Sequence, residues 1–400
     1  MITRRSFLKS SGALVAAGSV SIRAAQGQHI VVVGAGVFGG WTALSLLRKG
    51  ARVTLVDAWG PGHARASSGG ETRVIRASYG DQKIYVELVA RALELWRDNE
   101  KRWNKKLLFE CGSLRLRKDA SYAKSAVPLL EGAGLKIEEL TPSEAGKRFP
   151  QINMDGVGWA LYEHDAGYLL ARRACQAVLE SFIAEGGSYR QLAVKSTDLE
   201  VGLPEGLFLS DGTYQLADQY VLACGPWLGK LFPETIGERI RPNRQEVFFF
   251  GTPAGDARFG ETEMPCFLDG AVSPSFYGIP GNEWRGFKIA GGTPNAPTFD
   301  PTNGDRSATP DLVAAARRYM EMRFPALKGA PLIGSKVCQY ESSLDGDFIV
   351  DQHPKADHVW ILGGGSGHGF KHGPAFGERV ASQILGERNK DALFSLSRFA

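Results

Sequence analysis

Three glycines, Gly34, Gly36 and Gly39, fill a G-x-G-x-x-G run directly behind the β-branched stretch Ile30–Val33. This spacing does chemistry with backbone alone. The first glycine permits a tight turn, the second lets the chain approach a pyrophosphate, and the third lets the next helix pack closely on the sheet. Val37 and Phe38 open that helix, whose free N–H groups and partial positive charge face the phosphates. Trp41–Lys49 is predicted to be helical, Gly50 to stop it, and Arg52–Val56 to form a second strand ending at Asp57. That carboxylate stands about 20 residues beyond the first glycine, where an acid that binds ribose hydroxyls belongs. Strand, turn, helix, strand and acid in one register predict a site for an adenine dinucleotide.

A second glycine-rich turn decides which dinucleotide. Ile361–Lys371 again runs strand, glycines and helix, with the glycines over 363–369 and a final helix expected from Pro374 to Leu385. Such a loop lets backbone lie against a large planar ligand, which nicotinamide enzymes do not generally need, so a flavin is favoured. The five cysteines, Cys111, Cys175, Cys224, Cys266 and Cys338, are widely spaced with no C-x-x-C. That argues against a disulfide framework or a metal site and leaves room for one cysteine with a special task.

The ends and the composition bound the rest. Thr3-Arg4-Arg5-Ser6-Phe7-Leu8-Lys9 fits the twin-arginine pattern, and the mildly apolar Ser10–Ile22 is shorter than the ~20 residues a membrane span needs. Residues 1–27 are therefore expected to be a signal peptide. The chain would be exported folded through the twin-arginine translocase to the periplasm or beyond, without stable membrane insertion. The net charge of +4 resides in Arg4, Arg5, Lys9 and Arg23 of this segment, since the remainder holds 43 basic and 43 acidic residues. A neutral body offers no footprint for nucleic acid or anionic membrane.

The remaining length predicts two intertwined domains. Gly62–Arg76 is too rich in glycine and charge for a regular element. Helices are expected over Tyr85–Trp103, Gly167–Gly187 and Pro310–Phe324, a strand over Glu110–Arg117, and a helix–strand–helix group from Pro128 to Phe149. Tyr189–Val194 and a hairpin turned at Asp211-Gly212 follow, then a strand at Tyr220–Ala223 running into Gly225-Pro226-Trp227, and strand-rich sequence over 241–295. The fold class is α/β. A Rossmann-like nucleotide-binding domain is expected from 28–105, 166–240 and 339–395, with an inserted, sheet-rich α+β substrate domain from 106–165 and 241–338.

Four further motifs are more specific: Gly70-Glu71-Thr72-Arg73-Val74-Ile75-Arg76, Val337-Cys338 with Tyr340, Asp347-Phe348-Ile349-Val350-Asp351, and Ser366-Gly367-His368-Gly369-Phe370-Lys371. In types and spacing the chain resembles, over nearly its whole length beyond the leader, the D-amino-acid-oxidase-type flavoproteins, in their monomeric sarcosine oxidase and N-methyltryptophan oxidase branch. The resemblance implies FAD bonded through its 8α-methyl to the sulfur of Cys338. Without it, Cys338 reads as a buried, inert strand residue. It further implies hydride transfer from a secondary (N-alkyl or cyclic) amino acid to FAD, with O2 returning the electrons as H2O2.

Arg76 and Lys371 match that family's carboxylate clamp, Arg76 able to make a two-pronged contact. Arg73 matches an arginine against the flavin, and Lys288 a lysine on the opposite face that assists O2. Tyr277 and Tyr340 match tyrosines of the substrate pocket. Arg65, Ser68, Thr72, Val194, Gly225, Trp227, Gly365, Gly367, His368 and Gly369 fall at cofactor-binding positions, Val194 through its backbone and His368 without proton transfer. Sarcosine oxidases carry histidine at the places of Gly69 and Gly292, so a larger pocket and a substrate bulkier than sarcosine are expected. Two other readings remain: a periplasmic dehydrogenase passing electrons to a quinone or cytochrome, and a non-catalytic flavin-binding partner subunit. A monomer is expected.

Overall fold

Four β-branched residues in succession, Ile30–Val33, suit a strand buried on both faces. In a computed structural model, which describes residues 27–195, 205–291 and 298–399, they lie in the strand His29–Val33 near the middle of a six-stranded sheet. Arg52–Val56 and Gln219–Leu222 flank it in parallel, Ser188–Arg190 and Ala356–Gly363 extend the two sides, and Ile349–His353 closes one edge antiparallel. Alternation splits the strand between two cores. Ile30 and Val32 pack under the helices Val37–Arg48, Lys83–Trp103 and Gly373–Ile384. Val31 and Val33 pack with Leu207, Leu228 and Phe232 on the other face. Both faces are thus covered, as in a Rossmann-like sheet.

The second large sheet has eight strands, in the spatial order Leu332–Ser343, Ile240–Phe250, Phe287–Gly291, Phe276–Ile279, Cys266–Asp269, Ser113–Arg117, Trp159–Glu163 and Ile137–Leu140. One face packs Phe248, Phe250, Phe267 and Phe287 against Tyr319, Met320 and Phe324 around the helix Pro310–Arg323. Fully buried Arg323 is held there by Asp269 at 2.8 Å. The opposite face presents Val247, Ala290 and Cys338, with Phe249 and Tyr277 beside them. A small third sheet pairs Gly167–Leu170 with Thr72–Ile75 and Leu108–Phe109.

Several expected elements move. The helix expected from Gly167 begins at Ala171, because Gly167–Leu170 is a buried strand whose antiparallel partner is remote in sequence. Tertiary pairing overrides the local pattern there. The strand expected from Glu110 begins at Ser113, and the separate short strand Leu108–Phe109 just before it joins a different sheet. The strand expected over Tyr189–Val194 ends at Arg190, leaving Val194 as an isolated bridge to Leu209. The expected boundary between 338 and 339 falls inside the continuous strand Leu332–Ser343, whose register against Ile240–Phe250 runs unbroken through Cys338 and Gln339. Among the described residues no helix is long and apolar enough to cross a membrane.

Candidate active site

The first glycine loop joins strand to helix with no slack. Gly34 has φ +108°, and a Cβ there would lie 2.3 Å from the Ala223 carbonyl oxygen. A Cβ on Gly39 would lie 1.9 Å from the Gly34 oxygen, so any side chain would push the helix Val37–Arg48 off the strand. Gly36 caps that helix without a side-chain bond, and Val37 N–H donates to Ser68 Oγ at 3.0 Å. Asp57 ties the loop together, accepting from the N–H groups of Ala35 (2.7 Å), Trp59 (2.8 Å) and Gly60 (2.7 Å).

Along this loop runs a cleft of about 460 Å³, a size typical of ligand sites. Gly34, Gly36, Val37, Phe38, Asp57 and Ser68 line one wall, Val194, Gly225 and Trp227 another, and Arg73, Tyr340, Gly365, Gly367 and Gly369 its far end. Trp227 donates its indole N–H to Thr302 Oγ1 at 2.9 Å and lies 5.1 Å from Trp59, centroid to centroid. Arg65 stands outside the lining, exposed over Trp59 and bonded to the Thr302 carbonyl.

Glu341, which the sequence did not single out, bears on what the cleft holds. Its Oε1 accepts weakly from Gly365 N–H (3.3 Å), while Oε2 is buried without a partner inside the cleft. Burial raises its carboxyl to about 7. A Cβ on either Gly225 or Gly365 would come within 3.0 Å of this carboxyl. An unpartnered buried oxygen beside side-chain-free backbone asks for a polar ligand passing close. With the helix N-terminus at the phosphate turn, an FAD fits these residues.

At the far end the charged groups converge. The Arg73 guanidinium donates to the carbonyls of Thr72 (2.8 Å) and Ser67 (2.5 Å) and stands 6.0 Å from the Phe370 ring centroid. Lys288 is 3 % exposed and donates to the Thr72 carbonyl at 3.0 Å. Burial, then Arg73, brings its ammonium down to about 7. Burial raises the hydroxyls of both Tyr277 and Tyr340. Cys338 is among the groups that act on both tyrosines and on Lys288. Cys338 is buried beside Val247 and Ala290 and is not in the wall of the cleft.

A second chamber of about 540 Å³ opens beyond Tyr340 and Gly367, which border both spaces. Arg76, Tyr79, Tyr277 and His368 line it. Arg76 donates to the Ser78 carbonyl at 2.5 Å and lies 4.2 Å from the Tyr79 ring centroid. Lys371 lies 5.0 Å from the same ring and donates to the His368 carbonyl at 2.9 Å, and burial and then Arg76 hold its ammonium well below its usual range. His368 Nε2 meets the Gly346 carbonyl at 3.0 Å, so Nε2 donates and Nδ1 accepts from the Tyr79 hydroxyl at 3.0 Å. The Tyr79 oxygen then takes a bond from His372 Nε2 at 2.9 Å. Burial keeps both imidazoles neutral, His368 down at about 3.

Gly69 does not open the pocket as expected. A Cβ there would lie 1.9 Å from the His63 carbonyl oxygen, because the Gly62–Gly69 loop folds over it, and Gly69 lines neither space. Gly292 lies outside the described residues, as does the expected signal peptide up to residue 26. Sequence reasoning also missed Arg115 and Arg117, whose guanidinium groups line the second chamber. Alternation on the strand Ser113–Arg117, with Leu114 and Leu116 in the core, was the available signal.

Residues 29–383 match the family model for DAO, FAD dependent oxidoreductase, and residues 1–21 match the signal of the twin-arginine translocation pathway. The leader marks the protein for export by that route to the periplasm or outside the cell. The chain is 29 % identical over 380 residues to monomeric sarcosine oxidase of Bacillus sp. (strain B-0618), covering 92 % of this chain and 95 % of that protein. It is 28 % identical over 386 residues to N-methyl-L-tryptophan oxidase of Escherichia coli O157:H7, covering 92 % and 99 %. A crystal structure of L-proline dehydrogenase from P. horikoshii shares the fold, with a TM-score of 0.80, 22 % identity, and coverage of 94 % of this chain and 98 % of that one. Glycine loop, second glycine turn and family match agree: the chain belongs to the DAO family of FAD-dependent oxidoreductases.

Proposed function

We propose that this protein is an exported amine oxidase that acts on a secondary (N-alkyl or cyclic) amino acid and returns the electrons to O2 as H2O2. The observation that supports it best is the junction of the two spaces. Tyr340 and Gly367 belong to both walls, so a substrate in the second chamber meets the end of the dinucleotide cleft. FAD held in the cleft would supply the redox chemistry, a two-electron acceptor for the C–H bond beside the substrate nitrogen and a donor of those electrons to O2.

The chain's own residues bind, orient and tune. Arg76 and Lys371 hold the substrate carboxylate, aligned by the shared Tyr79 ring. Tyr277 and Tyr340 close the chamber against water. Arg73, and Lys288 when protonated, provide positive charge in a dry environment, where it acts strongly on negative charge that develops during electron transfer. Gly34, Gly36, Val37, Phe38, Gly39, Asp57, Ser68 and Thr72 position the cofactor, together with Val194, Gly225, Trp227, Gly365, Gly367, His368 and Gly369. Arg65 closes the rim. Cys338 is the proposed attachment point for a covalent flavin. The eight-stranded sheet serves as the substrate domain, and the protein acts as a monomer.

The expected result with purified protein, air and a panel of N-alkyl and cyclic amino acids is one H2O2 per amine consumed. Bleaching of the flavin without peroxide and with slow return of colour would instead indicate a dehydrogenase serving a quinone or cytochrome. The retained Lys288 favours the oxidase.

A further inference from the structure

The second chamber has an excess of positive charge that one carboxylate does not use. Arg76, Arg115 and Arg117 line it, and among the described residues none of them pairs with a carboxylate. Four acids also line it, and each is engaged elsewhere. Glu246 is held by Arg244 and Thr309, and Asp269 by Arg323 and the Tyr319 hydroxyl. Asp345 pairs with Arg398, and Asp347 accepts from the Tyr85 hydroxyl. Glu163, on the neighbouring strand, accepts from Ala77 N–H and Ser78 Oγ. Asp347 and Glu163 accept from neutral donors and keep their charge, Glu163 acting on Arg115, so three guanidinium groups stand against two carboxylates that no cation pairs, and the balance in the chamber is positive.

With Lys371, which lies behind Tyr79 and lines neither space, those three cations make two similar pairs. Arg76 and Lys371 gather over the Tyr79 ring, at 4.2 and 5.0 Å. Arg115 and Arg117 gather over the Tyr122 ring, each at 5.0 Å. Residues two apart on a strand project from one face, about 6.6 Å apart, so Arg115 and Arg117 form a fork toward the chamber while Leu114 and Leu116 fill the core behind. The pairs meet at a single acceptor, the Ser78 carbonyl, which takes Arg76 Nη1 at 2.5 Å and Arg115 Nη2 at 3.1 Å. Two guanidinium groups on one oxygen repel each other and call for anionic compensation. Arg115 responds accordingly, lowered to about 10 by burial and then by Arg76.

We propose that Arg115 and Arg117 form a second anion-binding fork, and that the substrate is a secondary amino acid bearing a second carboxylate. The first carboxylate sits on Arg76 and Lys371 beside the reacting carbon, and the second reaches the Tyr122 pair. The proposal rests on the amine-oxidase reading above. It gives the chamber its discrimination: a neutral side chain of the same shape leaves the Arg115 and Arg117 pair with only Glu163 acting as counter-charge.

The test compares acids with their isosteric amides on the FAD-loaded enzyme: N-methyl-L-aspartate with N-methyl-L-asparagine, and N-methyl-L-glutamate with N-methyl-L-glutamine. The expected result is kcat/KM at least ten-fold higher for one acid than for its amide, expressed mainly in KM. Arg117→Gln should erase that preference, bringing kcat/KM for the acid down to that for its amide. Arg117 is the safer variant, since among the described residues its side chain is held by the ring contact without a hydrogen bond, whereas Arg115 also braces Ser78. Arg115→Lys, which keeps one charge, should retain part of the preference. Equal rates for acids and amides, or a preference that survives Arg117→Gln, would overturn the fork and leave the oxidase reading intact. Flavin that stays oxidised with all four compounds and with every neutral N-alkyl or cyclic amino acid would overturn the oxidase reading itself, and the fork with it.

Discussion

Replacing Lys288 with methionine separates two consequences of one buried charge. The ammonium is 3 % exposed, donates to the Thr72 carbonyl, and titrates at about 7 against an ordinary 10.5. That gap corresponds to about 5 kcal/mol of disfavoured charging in the cofactor-free fold. The folded chain binds fewer protons than the unfolded chain between about pH 7 and 10.5, so stability from this group rises with pH across that window. The whole penalty is present below about pH 7. Methionine is of similar length and removes it, while leaving the Thr72 carbonyl short of a donor at about 1 kcal/mol. The apoprotein variant should therefore exceed wild type by roughly 4 kcal/mol at about pH 6, with the advantage gone by about pH 11, in paired denaturant titrations.

Activity should move the other way. A cation about 4 Å from negative charge developing on O2 is worth about 4 kcal/mol at an effective dielectric near 20, or roughly 10³-fold in rate. Stopped-flow traces should show anaerobic bleaching by substrate within a few-fold of wild type, and reoxidation in air slowed about 10³-fold. In wild type, reoxidation should fall as pH rises through a value at or above about 7, and the variant should lack this dependence. Equal losses in both half-reactions, or an apoprotein destabilised at low pH, would refute the reasoning.

Other perturbations follow from the same geometry. Arg76→Gln removes a charge-assisted contact worth about 2–3 kcal/mol, so kcat/KM should drop roughly 10²-fold, mostly through KM, in steady-state assays. Acid-precipitated wild type should stay yellow if Cys338 holds the flavin, and Cys338→Ala should release its colour to the supernatant. In that Cys338→Ala background, FAD affinity should weaken as pH rises through about 7, because Glu341 ionises inside a cleft shaped for phosphates. Glu341→Gln, which cannot ionise, should flatten that dependence in fluorescence titrations.

The dinucleotide cradle was legible because glycine spacing encodes sterics directly. Gly34 and Gly39 stand where a Cβ would strike backbone, and the sequence assigned them those tasks. The site's outer parts were legible only through contacts that local pattern does not contain. Glu341 follows the Val337-Cys338 and Tyr340 motif, and nothing nearby in sequence says that its oxygen is orphaned in a cleft. Arg115 and Arg117 alternate with leucines as surface residues commonly do. Only the parallel pairing of Ser113–Arg117 with Cys266–Asp269, more than a hundred residues away, turns that face inward. Gly69 misled for the converse reason: a missing side chain reads as free space, but the preceding loop had already filled it.

Anaerobic titration of the purified, FAD-loaded protein with N-alkyl or cyclic amino acids addresses the central claim most directly. Loss of the visible flavin band, with one amine oxidised per flavin, is the predicted result. A band left unchanged by every member of the panel, in protein that chemical reductants still bleach, would contradict it.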